Sequence, residues 1–160
     1  MRRLLAATAA AFAILALTQS SASARPAVDL GFRTIEQSMG AGSRITTQRT
    51  VAVRTQARWK QIWRQLHRPA KKLPKVDFAK RTVLVVTQGE KPTSGYAIRI
   101  ERVVLDAGEV TLHLVESEPD PLATQCTYLQ VITHPYHVVR VRKTNRPLAP
   151  VERRTELVGC

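Results

Sequence analysis

His134 and His137 stand three residues apart and could offer two imidazole ligands to a metal. The step between them is Pro135-Tyr136, which makes this the spacing of a turn. No cluster of Cys, Asp or Glu nearby completes four ligands, so His134 is expected as a surface turn residue. Cys126 lies eight residues before His134 and could act as a thiol nucleophile beside a general base, but no flanking motif supports catalysis. Ser94 sits in Thr93-Ser94-Gly95, without the G-x-S-x-G frame of a nucleophile elbow. Glu116, Glu118 and Asp120 could face a cation, yet calcium loops need more oxygens and a glycine turn. Asp77 and Asp106 have no partner carboxylate for acid–base work. This inventory points to no enzyme, no cofactor and no metal.

The elements that carry these residues are mostly strands. Trp59, Ile62, Trp63 and Leu66 fall at i, i+3, i+4 and i+7, one apolar face of a helix, with Thr55 as its N-cap and Pro69 ending the segment. The run Val83–Val86 is continuously apolar and suits a central strand buried on both faces. Asp106-Ala107-Gly108 reads as a hairpin turn into a strand with Val110, Leu112 and Leu114 on one face. Residues 126–133 and 137–143 read as two more strands, and 154–158 as a short last one. Absence of a β-α-β rhythm leaves a β-rich α+β fold. It is a mostly antiparallel sheet or sandwich of about seven strands with one amphipathic helix. Between the central strand and the next one lies Gly89–Tyr96. Pro92 fixes φ there, Gly95 permits positive φ, and Thr93 and Ser94 can bond nearby backbone, so a rigid turn is expected. Rigidity serves a stable hairpin and also a displayed recognition loop, whose ordering cost on binding it lowers.

At the N-terminus, Arg2-Arg3 precedes the apolar run Leu4–Leu17 and the small-residue sequence Ala22-Ser23-Ala24. This is the pattern of a secretory signal peptide cleaved after Ala24. The run is followed by no cysteine for a lipid anchor, and the mature protein is expected in the periplasm or medium. The domain reading is 1–24 signal peptide, 25–43 leader and 44–160 folded domain. The first 24 residues carry two arginines and no acid, so their removal leaves 136 residues and lowers the net charge from +13 to +11. Such a charge favours acidic proteins or anionic envelope surfaces; nucleic acid is not expected, because no basic block interleaves with aromatics. Cys126 and Cys160 form an even pair in an exported chain, where a bridge between them would stabilise by about 3–4 kcal/mol in the chain-entropy model.

The ordered set "RWKQIW", "VDFAKRTVLVVTQGEKPTSGYAIRIERV" and "HPYHVVRVRK" resembles the PrcB C-terminal domain family over roughly residues 45–143. The matching positions are Trp59 and Trp63, Val76-Asp77-Phe78, Val83–Val86, Gly89, Pro92-Thr93, Gly95-Tyr96 and Pro135-Tyr136. The resemblance implies an exported, non-catalytic accessory subunit that binds or stabilises an extracytoplasmic protease complex. Lys91, Pro92, Thr93, Ser94, Gly95 and Tyr96, with Arg140 and Arg142, are the expected contacts to that protein partner. Pro92-Thr93-Ser94-Gly95-Tyr96 is also similar to the first inhibitory loop of chagasin-type cysteine-protease inhibitors. Lys91 replaces their asparagine, however, and a glycine-rich second loop is missing. A hydrolase dependent on His and Cys is the third alternative.

Overall fold

The computed structural model describes residues 26–159. The segment read as a signal peptide and Cys160 lie outside them. Eight strands, β1 (Val28–Asp29), β2 (Arg33–Ser38), β3 (Gln48–Val53), β4 (Arg81–Gln88), β5 (Ala97–Asp106), β6 (Glu109–Pro119), β7 (Tyr136–Arg142) and β8 (Glu152–Val158), accompany one helix, α1 (Gln56–Leu66). They form two four-stranded sheets, ordered β1-β5-β6-β8 and β2-β7-β4-β3. Every pairing is antiparallel except β6 with β8. The segment read as a leader supplies an edge strand to each sheet, since β1 pairs with β5 and β2 with β7.

The layers follow from side-chain alternation along β4 and β7. Val83, Val85, Tyr136 and Val138 meet Trp59, Ile62, Trp63 and Leu66 of α1 in one core. Leu84, Val86, Val139 and Val141 meet Ile98, Ile100, Val103, Leu112 and Leu114 of the other sheet in a second. The β2-β7-β4-β3 sheet is therefore sandwiched between helix and sheet, which is why Val83–Val86 shows no polar face. Thr55 caps α1 by accepting from the Arg58 N–H at 3.3 Å. Trp59 and Trp63 donate their indole N–H groups to the Pro74 and Lys71 carbonyls at 3.0 and 3.1 Å, which ties the following connector down.

The β5–β6 hairpin closes through Ala107 and Gly108, both at positive φ (46° and 87°), as a two-residue turn requires. Residues 126–133 depart from expectation: they form no strand beyond an isolated bridge from Thr133 to Lys91. Their β-branched and apolar composition is real, but their backbone bonds go to Lys91 and Ser94 of the preceding turn and not to a strand, and Leu129, Val131 and Ile132 point to solvent. His137 belongs to the strand read over 137–143, but its burial is unexpected. It lies inside β7 and is 2% exposed, between the two sheets. Its Nδ1 accepts from the Ile100 N–H at 2.8 Å, where the β5–β6 register slips, so Nε2 carries the proton and donates to Thr34 Oγ1 at 2.9 Å. Nδ1 thus joins the two sheets, and Nε2 ties β7 to its neighbour β2 in the same sheet. The His134 side chain is only 12% exposed, with Nε2 3.5 Å from Glu90 Oε2, and is no surface residue.

Candidate functional site

β4 ends where Gly89 takes φ 81°, and the Glu90 N–H turns back to donate to Thr46 O at 2.9 Å. A β-carbon at Gly89 would meet Gln48 N at 3.0 Å, so the chain can leave the sheet this closely only with glycine. From Lys91 onward the turn is stitched to the segment 128–133. Lys91 and Thr133 exchange backbone hydrogen bonds at 2.8 and 2.9 Å, and Thr133 Oγ1 donates to Thr93 O at 2.9 Å. The Ser94 N–H donates to Leu129 O, and the Leu129 N–H returns to Ser94 Oγ, both at 3.1 Å. Lys91 Nζ lies 4.9 Å from the centre of the Tyr96 ring and 3.7 Å from Glu118 Oε1.

Gly95 holds this arrangement together for a reason other than the expected one. Its φ is not positive; a β-carbon there would stand 2.7 Å from Pro119 Cγ and from Tyr128 Cδ1. Glycine is required because the Tyr128 ring packs against the turn, and the Tyr128 hydroxyl donates to Val158 O at 2.8 Å, anchoring the same segment to the end of β8. Asp120 N adds a second bond to Val158 O at 3.0 Å.

Within the turn only Pro92 is exposed; Lys91, Thr93, Ser94, Gly95 and Tyr96 are half-buried. The outermost groups belong to the covering segment and the β8 end: Leu122 is 85% exposed, Leu129 69% and Ile132 58%, with Val131 and Leu157 also exposed. Sequence reasoning missed these residues because their apolar character suited a buried strand. The acids considered for a cation are engaged within the protein. Glu116 accepts from Gln48 and Arg153, Glu118 faces Lys91, and Asp120 caps the Leu122 N–H at 2.9 Å. Cys126 N donates to Ala123 O in the same segment, and its proposed partner Cys160 lies outside the described residues.

Arg140 and Arg142 do not join this site. The register places Arg140 opposite Val83 and Arg142 opposite Arg81, at the start of β4, whereas the turn follows Gln88 at its end. A third polar cluster was not anticipated. Glu36 Oε1 accepts from Tyr136 Oη at 2.9 Å and Lys71 Nζ at 3.0 Å, with His67 Nε2 at 3.1 Å. Burial acts to raise the Glu36 pKa, but the hydrogen bonds from Lys71, His67 and Tyr136 prevail and hold the carboxyl below its ordinary value. Burial and then Glu36 push the Tyr136 phenol well above its ordinary range, so it stays a proton donor. The cluster fastens β2 to the C-terminal end of α1.

Residues 82–142 match the family model described as PrcB C-terminal, and the resemblance holds over this span from β4 to the end of β7. The span contains the turn, its covering segment and Pro135-Tyr136; the helix with its two tryptophans lies before it. Comparison with curated proteins gave no match, and comparison with solved structures gave none.

Proposed function

We propose, from the PrcB C-terminal match over residues 82–142, that this chain is a non-catalytic docking module of an extracytoplasmic protease complex. Export follows in this reading from the N-terminal pattern and cleavage after Ala24. The observation that carries it is the exposed aliphatic set Leu122, Leu129, Val131 and Ile132, mounted on a segment that is hydrogen-bonded to a half-buried turn. Large exposed apolar side chains gathered on one segment mark interaction sites. Backbone already fixed by Thr133, Ser94 and Tyr128 loses little entropy on docking. The net charge of +11 left after cleavage would speed association with an acidic partner and make the rate salt-sensitive.

The test is capture from native envelope with wild type and with the double variant Leu129→Ser/Ile132→Ser, followed by assay of captured protease activity. The expected result is a protease retained by wild type, its activity raised or its lifetime extended, and retention reduced at least tenfold by the variant. Retention independent of Leu129 and Ile132 overturns the surface. Inhibition of a cysteine protease in place of activation selects the chagasin-like alternative. Substrate turnover by the purified protein that is lost on mutation of Cys126 or His134 overturns the non-catalytic reading.

A further inference from the structure

At the end of the β2-β7-β4-β3 sheet remote from the turn, Arg33 lies directly opposite Arg140, and Arg81 directly opposite Arg142. Opposed residues share a face, and Arg140 and Arg142 continue the alternation of Val138, as Arg81 precedes Val83 and Val85. All four guanidinium groups therefore stand on the face that α1 covers farther along the strands. They line one cleft of about 280 Å³ together with Leu30, Gly31, Phe32 and Val141; the apolar side chains of Leu30, Phe32 and Val141 belong to the core between the sheets.

Like charges directly opposed across a strand pair are destabilising. Four arginines elsewhere have their charge met by a carboxylate: Arg99 reaches Glu156, Arg102 Asp29, Arg153 Glu116 and Arg154 Glu101. Among the described residues, none of the four cleft arginines makes an ion pair or a side-chain hydrogen bond. Four planar donor forks gathered in one cleft concentrate positive potential at the end of the sheet. The cleft lies just below the roughly 300 Å³ at which drug-sized ligand pockets begin, which favours a compact, highly charged group over a cofactor.

We propose that this cleft binds a multiply charged phosphate group, with Arg140 and Arg142 as its central donors and Arg33 and Arg81 at either side. The chemistry is bidentate guanidinium–phosphate pairing, with relief of the arginine–arginine repulsion as an added contribution. Phosphate of this kind comes free in solution or as a lipid headgroup. The site is separate from the apolar docking segment and stands or falls independently of it.

The experiment measures the melting temperature of the protein against sodium pyrophosphate, with sodium chloride at matched ionic strength as reference. It also measures cosedimentation with phosphatidylcholine vesicles with and without phosphatidic acid. Wild type is compared with Arg140→Gln, Arg142→Gln, the double variant, and Arg58→Gln on the exposed helix face. A saturable rise of roughly 5–10 °C at one hundred times Kd is expected for wild type and Arg58→Gln. Each cleft substitution should weaken binding about tenfold or more. It should also raise the melting temperature without anion, which separates loss of a site from loss of the fold. Response to pyrophosphate identifies a free anion. Response only to phosphatidic acid, lost in the double variant, identifies a headgroup. A pyrophosphate effect no larger than that of chloride, together with vesicle binding unchanged by the double variant, overturns the proposal. So does a pyrophosphate response that survives in the double variant.

Discussion

His137 makes acid stability a direct readout of how the two sheets are joined. Burial pushes its pKa from 6.5 down to about 4. In the folded protein the ring is 2% exposed, with Nδ1 occupied by the Ile100 N–H. A proton on Nδ1 would displace that bond and leave a charge between two hydrophobic layers. Unfolded chains bind the proton near pH 6.5, folded ones only near 4, so between these values the unfolded state holds more protons. Stability is then fully present above about pH 6.5 and falls as the pH drops, until the native ring also titrates near 4. At 1.36 kcal/mol per pH unit, the gap between 6.5 and about 4 amounts to roughly 3 kcal/mol. Urea unfolding at half-unit steps from pH 7.5 to 4 should show a slope approaching 1.4 kcal/mol per pH unit in the lower part of this range. Glu36, whose carboxyl is held below its ordinary value, contributes at the acid end, so it is the difference between wild type and His137→Gln above pH 5 that isolates this histidine. His137→Gln retains an acceptor and a donor but cannot titrate, and should lose most of the slope. A wild-type profile that is flat from pH 7 to 5, or a variant slope equal to wild type, would refute the reasoning. So would an NMR titration that protonates this ring above pH 6.

Trp59→Ala should cost about 3–5 kcal/mol in urea unfolding, because the indole is fully buried on α1 and its N–H satisfies Pro74 O; a loss below about 1 kcal/mol would remove it from the core. Gly95→Ala should cost about 1–3 kcal/mol through collision with Pro119 and Tyr128, whereas a change at a merely permissive turn would be near neutral. In the double variant Gly95→Ala/Tyr128→Ala the added cost of the alanine at 95 should largely vanish, and additivity of the two changes would show that the contact does not couple them.

Local pattern was enough for the elements whose partners are near in sequence or set by one face. Trp59, Ile62, Trp63 and Leu66 repeat with the period of a helix and must all meet whatever covers it, and α1 buries all four. Asp106-Ala107-Gly108 carries its turn geometry within itself, and Val83–Val86 announced a strand covered on both sides. Residues 126–133 show where this stops. A strand exists only when another offers it hydrogen bonds, and composition cannot say whether an edge is free. The same limit hid the reason for Gly95, which is set by a tyrosine distant in sequence, and the burial of His137, fixed by an N–H on the opposite sheet. Arg140 and Arg142 were visible as basic residues. Their opposition to Arg33 and Arg81 is a matter of register across β2, β7 and β4, and register is decided by which apolar faces pack, not by the charged residues that it brings together.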